Sequence, residues 1–342
     1  MKRIGIVFPG YGEQFVGMGK DIYDDSRVVQ EFFEQASGST NINFVKLSFA
    51  SSGQEISSVQ HGYLAIFLFE SSLYELLKRK GLQPDFVAGY GIGEYTACFA
   101  SGSLSFVDGL YFLNKYSQFY HQFLQDKEYS VLKVTRDFSI ERLQEIINSY
   151  STENQKAYIA AHNTQEGFYI AGSSIVIEKV QQYCKEHVIR KVKDIGIGYG
   201  LHSSLMNDIV DQLKLYYHKI QFKPLKTPVI TNVDGVYVTT PEALQSAVMR
   251  RVNHRIEWFE VSKGFEGCDV IISIGPGKQL VEWFKELYPD KEYYTVSTLQ
   301  DIENLNSLIE DQNGGEVNPK EKSLHDADLV NEKQSDYDNN DD

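Results

Sequence analysis

The chain has 342 residues, of which 42% are apolar and 13% aromatic, and it carries a net charge of −14. This length and apolar content predict a large globular domain with an inserted or appended unit. A chain this acidic is a poor candidate for nucleic-acid binding, in which clustered Lys and Arg neutralise phosphates. No stretch reaches the roughly 18 apolar residues of a membrane helix. We therefore expect neither a nucleic-acid partner nor a membrane partner.

The chain begins with basic residues and a short apolar run that ends at Pro9-Gly10. The run lacks the length and the cleavage site of a signal peptide, so residues 3–8 are predicted to form a buried strand. A glycine-rich loop follows over residues 10–19. The three cysteines are widely spaced and indicate neither a disulfide framework nor a metal site, which fits a reducing cytoplasm. They are Cys98, Cys184 and Cys268.

The next segments alternate between helix and strand. Residues 59–80 form an amphipathic pattern that ends in Lys78-Arg79-Lys80-Gly81, a typical helix C-terminus. A short buried strand is predicted over 84–89, and helices over 94–101 and 106–124. A strand, a tight glycine turn and a helix in this order predict a parallel sheet in a three-layer α/β domain.

Residues 128–195 have a different order of predicted strands and helices, βαββαβ, which is the order of a ferredoxin-like unit. The predicted strands are 129–134, 157–162, 168–171 and 188–195, and the predicted helices are 139–148 and 174–187. After this unit, the alternation of strand and helix resumes. The predicted strands are 227–233 and 270–274, and the predicted helix is 241–252. We therefore expect a discontinuous large domain, 1–127 with 196–310, and an inserted small domain, 128–195.

Residues 311–342 contain ten acidic residues and three lysines, and so hold half of the net charge. Their few apolar side chains cannot bury enough surface to offset the entropy of ordering the segment. We expect an acidic disordered tail.

The most informative motif is Gly89-Tyr90-Gly91-Ile92-Gly93-Glu94. A nucleophile elbow has the pattern G-x-S-x-G, in which a sharp turn from strand to helix presents the serine hydroxyl. Here the flanking glycines are present, but Gly91 stands at the position of the serine. The sequence predicts the turn without its nucleophile.

Over residues 1–310 the chain resembles the malonyl-CoA:acyl carrier protein transacylases and the related acyltransferase domains of polyketide synthases. The segments that carry the resemblance are Phe8-Pro9-Gly10-Tyr11-Gly12-Glu13-Gln14, Gly89 to Ala97, His202-Ser203-Ser204-Leu205-Met206, Asn232-Val233-Asp234 and Ile274-Gly275-Pro276-Gly277-Lys278. The family's fold implies an α/β-hydrolase-like three-layer large domain with a parallel sheet and an inserted ferredoxin-like small domain. These form a cleft, in agreement with the periodicity.

The resemblance implies transfer of malonyl from coenzyme A to an acyl carrier protein through a serine ester. It implies that His202 is the base and that the amides of Tyr11 and Ile92 are the oxyanion donors, with Gly91 at the nucleophile position. It also implies malonyl-CoA or another acyl-CoA and an acyl carrier protein as partners. No cofactor is expected apart from a coenzyme A thioester as ligand.

Other departures from the family pattern cluster at the same site. The substrate-binding positions implied by the resemblance are Tyr90, Tyr116, Asn163, Arg251 and Gln60. Tyr90 stands where the family pattern has a histidine. Tyr11 and Arg251 each stand where it has a glutamine. Tyr116 stands where the family has the arginine that binds the malonyl carboxylate, with Lys115 adjacent, and an alignment slip would put that lysine in place. An arginine matches a planar carboxylate with two parallel hydrogen bonds, which a tyrosine cannot do.

The lost hydroxyl predicts impaired acyl transfer, because removal of the serine of a catalytic triad costs on the order of 10⁶ in kcat. The leading hypothesis is a non-catalytic homologue that binds an acyl thioester or a carrier protein. Two alternatives stay open: a transferase with another nucleophile such as Cys98, and a thioester hydrolase with His202 as base. Helix capping is the default role of Ser203 and Ser204. Carrier-protein binding would need a local basic patch, for which Arg250-Arg251 with Arg255 is the candidate.

Overall fold

Two separate sheets organise this computed structural model, which describes residues 2–136, 138–189 and 191–313. The strands of the described part are β1 Ile4–Phe8, β2 Phe86–Gly89, β3 Tyr129–Thr135, β4 Ala157–Thr164, β5 Gly167–Ser173, β6 Val192–Asp194, β7 Val229–Ile230, β8 Tyr237–Val238, β9 Val270–Ile274 and β10 Glu292–Val296. The helices are α1 Lys20–Asp25, α2 Arg27–Thr40, α3 Phe44–Ala50, α4 Gly53–Ile56, α5 Val59–Arg79, α6 Gly93–Ala100, α7 Phe106–Leu124, α8 Ile140–Tyr150, α9 Ser174–Glu186, α10 Asn207–Tyr217, α11 Pro241–Arg250, α12 Trp258–Lys263, α13 Gln279–Leu287 and α14 Leu299–Gln312.

The large sheet has the strand order β10-β9-β1-β2-β7-β8. All neighbouring strands are parallel except β7 and β8. Phe8 at the end of β1 pairs with Gly89 at the end of β2. Because the carboxyl ends of parallel strands meet at one edge of a sheet, this register brings the loop after β1 beside the turn after β2.

The small sheet has the order β4-β5-β3-β6 and is antiparallel throughout. With α8 and α9 its strands follow the chain order βαββαβ, so the ferredoxin-like unit has its expected topology. Apolar residues of this unit form a core of their own, separate from the core around the large sheet. The predicted α/β fold class is confirmed.

Two predicted strands are shorter than expected by five residues each. The strand expected over 188–195 is only Val192–Asp194, because Val188 has a positive φ of 57° that breaks an extended path. The strand expected over 227–233 is only Val229–Ile230, because Gly235 N donates to Thr231 O at 2.9 Å and turns the chain. Among the helices of the described residues, none is long and apolar enough to cross a membrane. The predicted tail lies outside the described residues from position 314 onward.

Candidate functional site

The turn between β2 and α6 requires glycine at both of its flanks. A Cβ on Gly89 would lie 2.0 Å from Gly93 O, and a Cβ on Gly93 would lie 2.3 Å from Pro9 O. Real Cβ atoms do not approach backbone oxygens this closely, so any larger residue would force the turn apart. The elbow geometry predicted from the sequence is therefore built into the packing of β1, β2 and α6.

Gly91, at the apex of this turn, has a positive φ of 56° but open space in front of it. A Cβ added here would meet only Ile256 Cδ1, at an ordinary contact distance of 3.9 Å. The amide of Gly91 donates to Asn232 Oδ1 at 2.9 Å, and Asn232 Nδ2 donates to Gly89 O at 2.6 Å. The Asn232 side chain thus fixes both sides of the turn. The sequence placed Asn232 in a matched motif but did not identify it as a site residue.

His202 is held in a strained and buried position. It has a φ of 35°, is only 4% exposed, and donates from Nδ1 to Arg251 O at 2.8 Å, which leaves Nε2 as the acceptor. A Cβ on Gly200 would lie 2.7 Å from Nε2, so a glycine is needed beside the ring. Burial and the charge of Arg251 lower the pKa of His202 to about 3. The imidazole is therefore neutral at pH 7, with the lone pair of Nε2 as its acceptor.

The buried histidine predicts a specific dependence of stability on pH. Its pKa is about 3 in the folded chain against 6.5 in the unfolded chain, so the unfolded state takes up the proton first as the pH falls. Stability from this group is complete above pH 6.5 and is lost toward pH 3, by about 2 kcal/mol at pH 5. In urea titrations at pH 8 and pH 5, His202→Asn should lose about 2 kcal/mol less than the native chain over this interval. An equal loss in both proteins would contradict a buried neutral histidine.

Arg251 and Glu94 form an ion pair in which neither side chain is exposed. Arg251 Nε lies 3.1 Å from Glu94 Oε2, and Glu94 Oε1 accepts from Asn232 N at 2.8 Å. Burial raises the pKa of Glu94, and the guanidinium opposes that rise. We take Glu94 as ionised, since otherwise the guanidinium would be an unpaired buried charge. A chain of contacts thus runs from Gly91 through Asn232, Glu94 and Arg251 to His202.

Two expectations about cationic residues are wrong. Arg251 is buried, Arg250 pairs with Asp234 and Arg255 pairs with Glu257, so these arginines do not form a basic patch at the rim. The Lys115 ammonium lies 5.6 Å from the ring centroid of Tyr216 on α10. It therefore packs against a neighbouring helix and does not take the place of the arginine that the resemblance implies at position 116.

Tyrosines fill the space between α5, α7 and the loop that precedes His202. The ring centroid of Tyr63 is 5.7 Å from that of Tyr116 and 5.6 Å from that of Tyr11. Tyr63 donates to Gly198 O at 2.9 Å, Tyr120 donates to Ile197 O at 2.8 Å, and Tyr11 donates to Ser57 O. Because these hydroxyls are bound to backbone carbonyls, the cluster is a fixed wall of the site.

Tyr90 links the two sheets across the mouth of the site. Its hydroxyl donates to Asn163 Oδ1 on β4 at 2.8 Å, and its ring packs edge-on against Trp258 and Trp283. The cavity between Tyr90 and Tyr11 has a volume of about 10 Å³, room for at most one water molecule. Asn163 and Trp283 also line a groove of about 420 Å³, together with Lys133, Lys191 and Lys193.

The remaining predicted site residues are the oxyanion donors Tyr11 and Ile92 and the substrate-binding residue Gln60. The amides of Tyr11 and Ile92 have no hydrogen-bond acceptor within residues 2–136, 138–189 and 191–313, which leaves both donors available. Gln60 lies half-buried in the first turn of α5, and no hydrogen bond of the described part joins it to the other site residues.

Cys98 and Ser203 are the other side chains of this region with a nucleophilic atom, and Cys98 is the small buried side chain that its position in the sequence favours. Cys98 is completely buried, and burial raises the pKa of its thiol well above the usual value, so it is inert. Ser203 precedes a 3₁₀ turn without capping it, so the predicted capping role is wrong. In the part of the chain that the structure describes, no group of three or more His, Cys, Asp or Glu side chains could hold a metal.

Comparisons with known proteins agree with this architecture. The malonyl CoA-acyl carrier protein transacylase of Bacillus subtilis (strain 168) is 26% identical over 315 residues, 92% of this chain and 99% of that protein. A solved malonyl-CoA:acyl carrier protein transacylase from Xanthomonas oryzae pv. oryzae matches with a TM-score of 0.84 at 22% identity, over 90% of this chain and 98% of the other. A malonyl-transacylase solved in complex with its type II PKS acyl-carrier protein matches with a TM-score of 0.84 at 20% identity, over 89% and 99%.

At these identities the two solved structures establish the fold alone. The sequence model described as the acyl transferase domain matches residues 6–304, which is most of the chain. This match confirms the resemblance drawn from the sequence motifs, and the chain belongs to the acyl transferase domain family.

Proposed function

We propose that this chain is a malonyl-transacylase homologue of fatty acid or polyketide biosynthesis that binds an acyl thioester without forming an acyl-enzyme. Its ligands are malonyl-CoA or another acyl-CoA, and the pantetheine arm of an acyl carrier protein. The observation that carries the proposal is Gly91 at the apex of an otherwise complete elbow. In this reading the protein is a pseudoenzyme of its family.

The frame of the site supports retained binding. His202 is neutral, the amides of Tyr11 and Ile92 have no acceptor in the described residues, and Asn232 fixes the turn. These groups would surround a thioester carbonyl, but none of them can form the ester that transfer requires. Loss of a serine nucleophile costs on the order of 10⁶ in kcat, so residual transfer would be too slow to serve a pathway.

The groove that Asn163 and Trp283 help to line supports a pantetheine or coenzyme A ligand. Its lysines lie on β3 and beside or within β6, and they offer positive charge to phosphates in a chain that is acidic overall. The relatives are named as transacylases that act between malonyl-CoA and an acyl carrier protein. We propose that the same two partners bind here, in a cleft between the large domain, 1–127 with 196–310, and the small domain, 128–195.

The direct test measures transfer. The purified chain is mixed with radiolabelled malonyl-CoA and a carrier protein, and the labelled carrier is quantified against a His202→Ala variant. We expect no labelled carrier above that control, while equilibrium dialysis with the same thioester shows saturable binding. Labelled carrier that depends on His202 would overturn the proposal.

A thioester hydrolase is the second candidate, and the open space at Gly91 is the observation that favours it. Water in that space would attack the thioester carbonyl and give a proton to His202 Nε2, and the carbon–sulfur bond would break to release acid and thiol. Steady-state release of thiol that His202→Ala abolishes would establish this activity. A transferase that uses Cys98 is disfavoured, because that thiol is fully buried.

A further inference from the structure

Residues 214–226, at the end of α10 and in the loop after it, contain four lysines and no acidic residue, in a chain whose net charge is −14. We call this stretch the basic strip. Its four lysine side chains are all exposed to solvent: Lys214, Lys219, Lys223 and Lys226. Leu215 is 70% exposed, more than any other large apolar side chain of the described residues. The strip is therefore a cationic surface that also offers an apolar contact.

The described part of the chain does not neutralise the strip. Lys214 pairs with Asp211 at 2.7 Å, one turn earlier on α10. The Lys219 ammonium lies 5.4 Å from the ring centroid of Tyr216. Within residues 2–136, 138–189 and 191–313, no carboxylate forms an ion pair with the last three lysines of the strip. Three positive charges are thus left for a partner.

The strip lies at the edge of the large sheet that is opposite to the elbow. The amides of Lys223 and Lys226 donate to Ser103 O at 2.8 Å and to Ser101 O at 2.7 Å, which fixes the path of the loop. The loop then enters β7, which runs parallel to β2. The elbow follows the carboxyl end of β2, whereas the strip precedes the amino end of β7. A carrier protein bound to the strip would face away from the elbow.

The described chain ends at this same edge. Gln312 Nε2 donates to Gln83 O at 2.7 Å, and Asn313 Nδ2 donates to Gly81 O at 3.4 Å. Both acceptors directly precede β2, the neighbour of β7 in the sheet. The next 29 residues, 314–342, could span at most about 100 Å if fully extended. They begin close to the strip and are long enough to cover it.

The composition of residues 314–342, which we call the acidic segment, is complementary to that of the strip. The segment contains nine acidic residues and three lysines, so its net charge is −6. Leu324, Leu329 and Val330 stand between its acidic residues and could meet an exposed apolar side chain such as Leu215.

We infer that the basic strip is the docking surface for the acidic segment of the same chain. Single exposed ion pairs are weak, so the docking depends on several pairs acting together. Covalent attachment near the strip also holds the segment at an effective concentration on the order of millimolar. The docked segment covers the strip and competes with any other acidic partner for it.

Carbodiimide coupling of the full chain tests this contact, because the reagent joins a lysine amine only to a carboxylate that touches it. Joined peptides are identified by mass spectrometry. At 0.1 M NaCl we expect the acidic segment to couple to Lys219, Lys223 and Lys226 at least about fivefold more than to exposed lysines elsewhere. At 1 M NaCl the screening length falls from about 10 Å to about 3 Å, and this excess should disappear. Even coupling over the exposed lysines, or an excess that salt does not reduce, would overturn the inference.

A pair of variants separates the strip from charge in general. Lys223→Gln/Lys226→Gln keeps the backbone hydrogen bonds of the loop and leaves Lys219 as a reporter, whose coupling to the acidic segment should fall at least about threefold. The matched control, Lys46→Gln/Lys179→Gln, removes two exposed lysines from α3 and α9 and should leave the coupling of Lys219 unchanged. An equal fall in both variants would contradict a specific contact.

Two further arms identify other occupants of the strip. An equal mixture of ¹⁵N-labelled and unlabelled chains is coupled, and intramolecular contacts give joined peptides of uniform label. Peptides of mixed label would assign the strip to a second copy of the chain and overturn the inference. In the other arm an acidic carrier protein is added in equal amount. Coupling of the strip to that protein in preference to the acidic segment would also overturn it.

Discussion

Purified Gly91→Ser protein should gain the mass of one acyl group after exposure to acetyl-CoA, whereas the native chain should gain none. A serine Cβ at this position meets only Ile256 Cδ1 at 3.9 Å, so the side chain fits without a clash. The positive φ of 56° is the strained geometry that an elbow imposes on its nucleophile, and it costs on the order of 1–3 kcal/mol. His202 donates from Nδ1 to Arg251 O, which leaves the Nε2 lone pair to receive the hydroxyl proton.

Intact-mass spectrometry reads out the adduct, and two variants serve as controls. Gly91→Ala bears the same backbone strain without a hydroxyl and should remain unmodified. Gly91→Ser/His202→Ala should lose most of the adduct, because the serine would lack its base. If Gly91→Ser folds and forms no adduct with acetyl-CoA or malonyl-CoA, the loss extends beyond the nucleophile. Tyr90, Tyr11, Tyr116 and Arg251 would then have rebuilt the pocket.

The parts of the fold that follow from local patterns were predicted well. The helix at 106–124 and the strand at 270–274 have the predicted bounds, since each is a clear periodic segment between turn residues. The elbow was predicted from Gly89 and Gly93. In the structure Gly93 O excludes a side chain at position 89, and Pro9 O excludes one at position 93. The strand at 188–195 was overestimated, because the left-handed backbone at Val188 has no signature in the sequence.

The interior of the site was not predicted, because it depends on contacts between distant segments. Arg251 follows Arg250 in the sequence, and both read as surface cations next to an acidic motif. In the folded chain Arg250 pairs with Asp234 at the surface, while Arg251 turns inward to Glu94, which is 157 positions away in the sequence. The end of helix α11 separates the two side chains, and only the tertiary structure shows which one is buried.

Arg251→Ala should lower the free energy of unfolding by about 3–5 kcal/mol, the largest loss that we expect from a single substitution in this chain. The variant leaves Glu94 as an uncompensated buried carboxylate and removes the cation that Tyr95 and Tyr116 enclose. Urea unfolding followed by circular dichroism measures the change. Arg250→Ala is the matched control, because the same substitution one residue earlier breaks only a partly exposed pair with Asp234. It should cost no more than about 1 kcal/mol.

A double variant distinguishes the loss of the ion pair from the cost of leaving one buried charge unpaired. In Glu94→Gln/Arg251→Met both charges are gone, so neither partner is left unpaired, and the double variant should be more stable than Arg251→Ala. Its stability should approach that of the native chain, because the Met side chain keeps part of the packing against Tyr95 and Tyr116. Equal losses in Arg251→Ala and Arg250→Ala would show that the guanidinium is solvated in solution. The buried Glu94–Arg251 pair, and the chain of contacts that it carries from Gly91 to His202, would then not persist in solution.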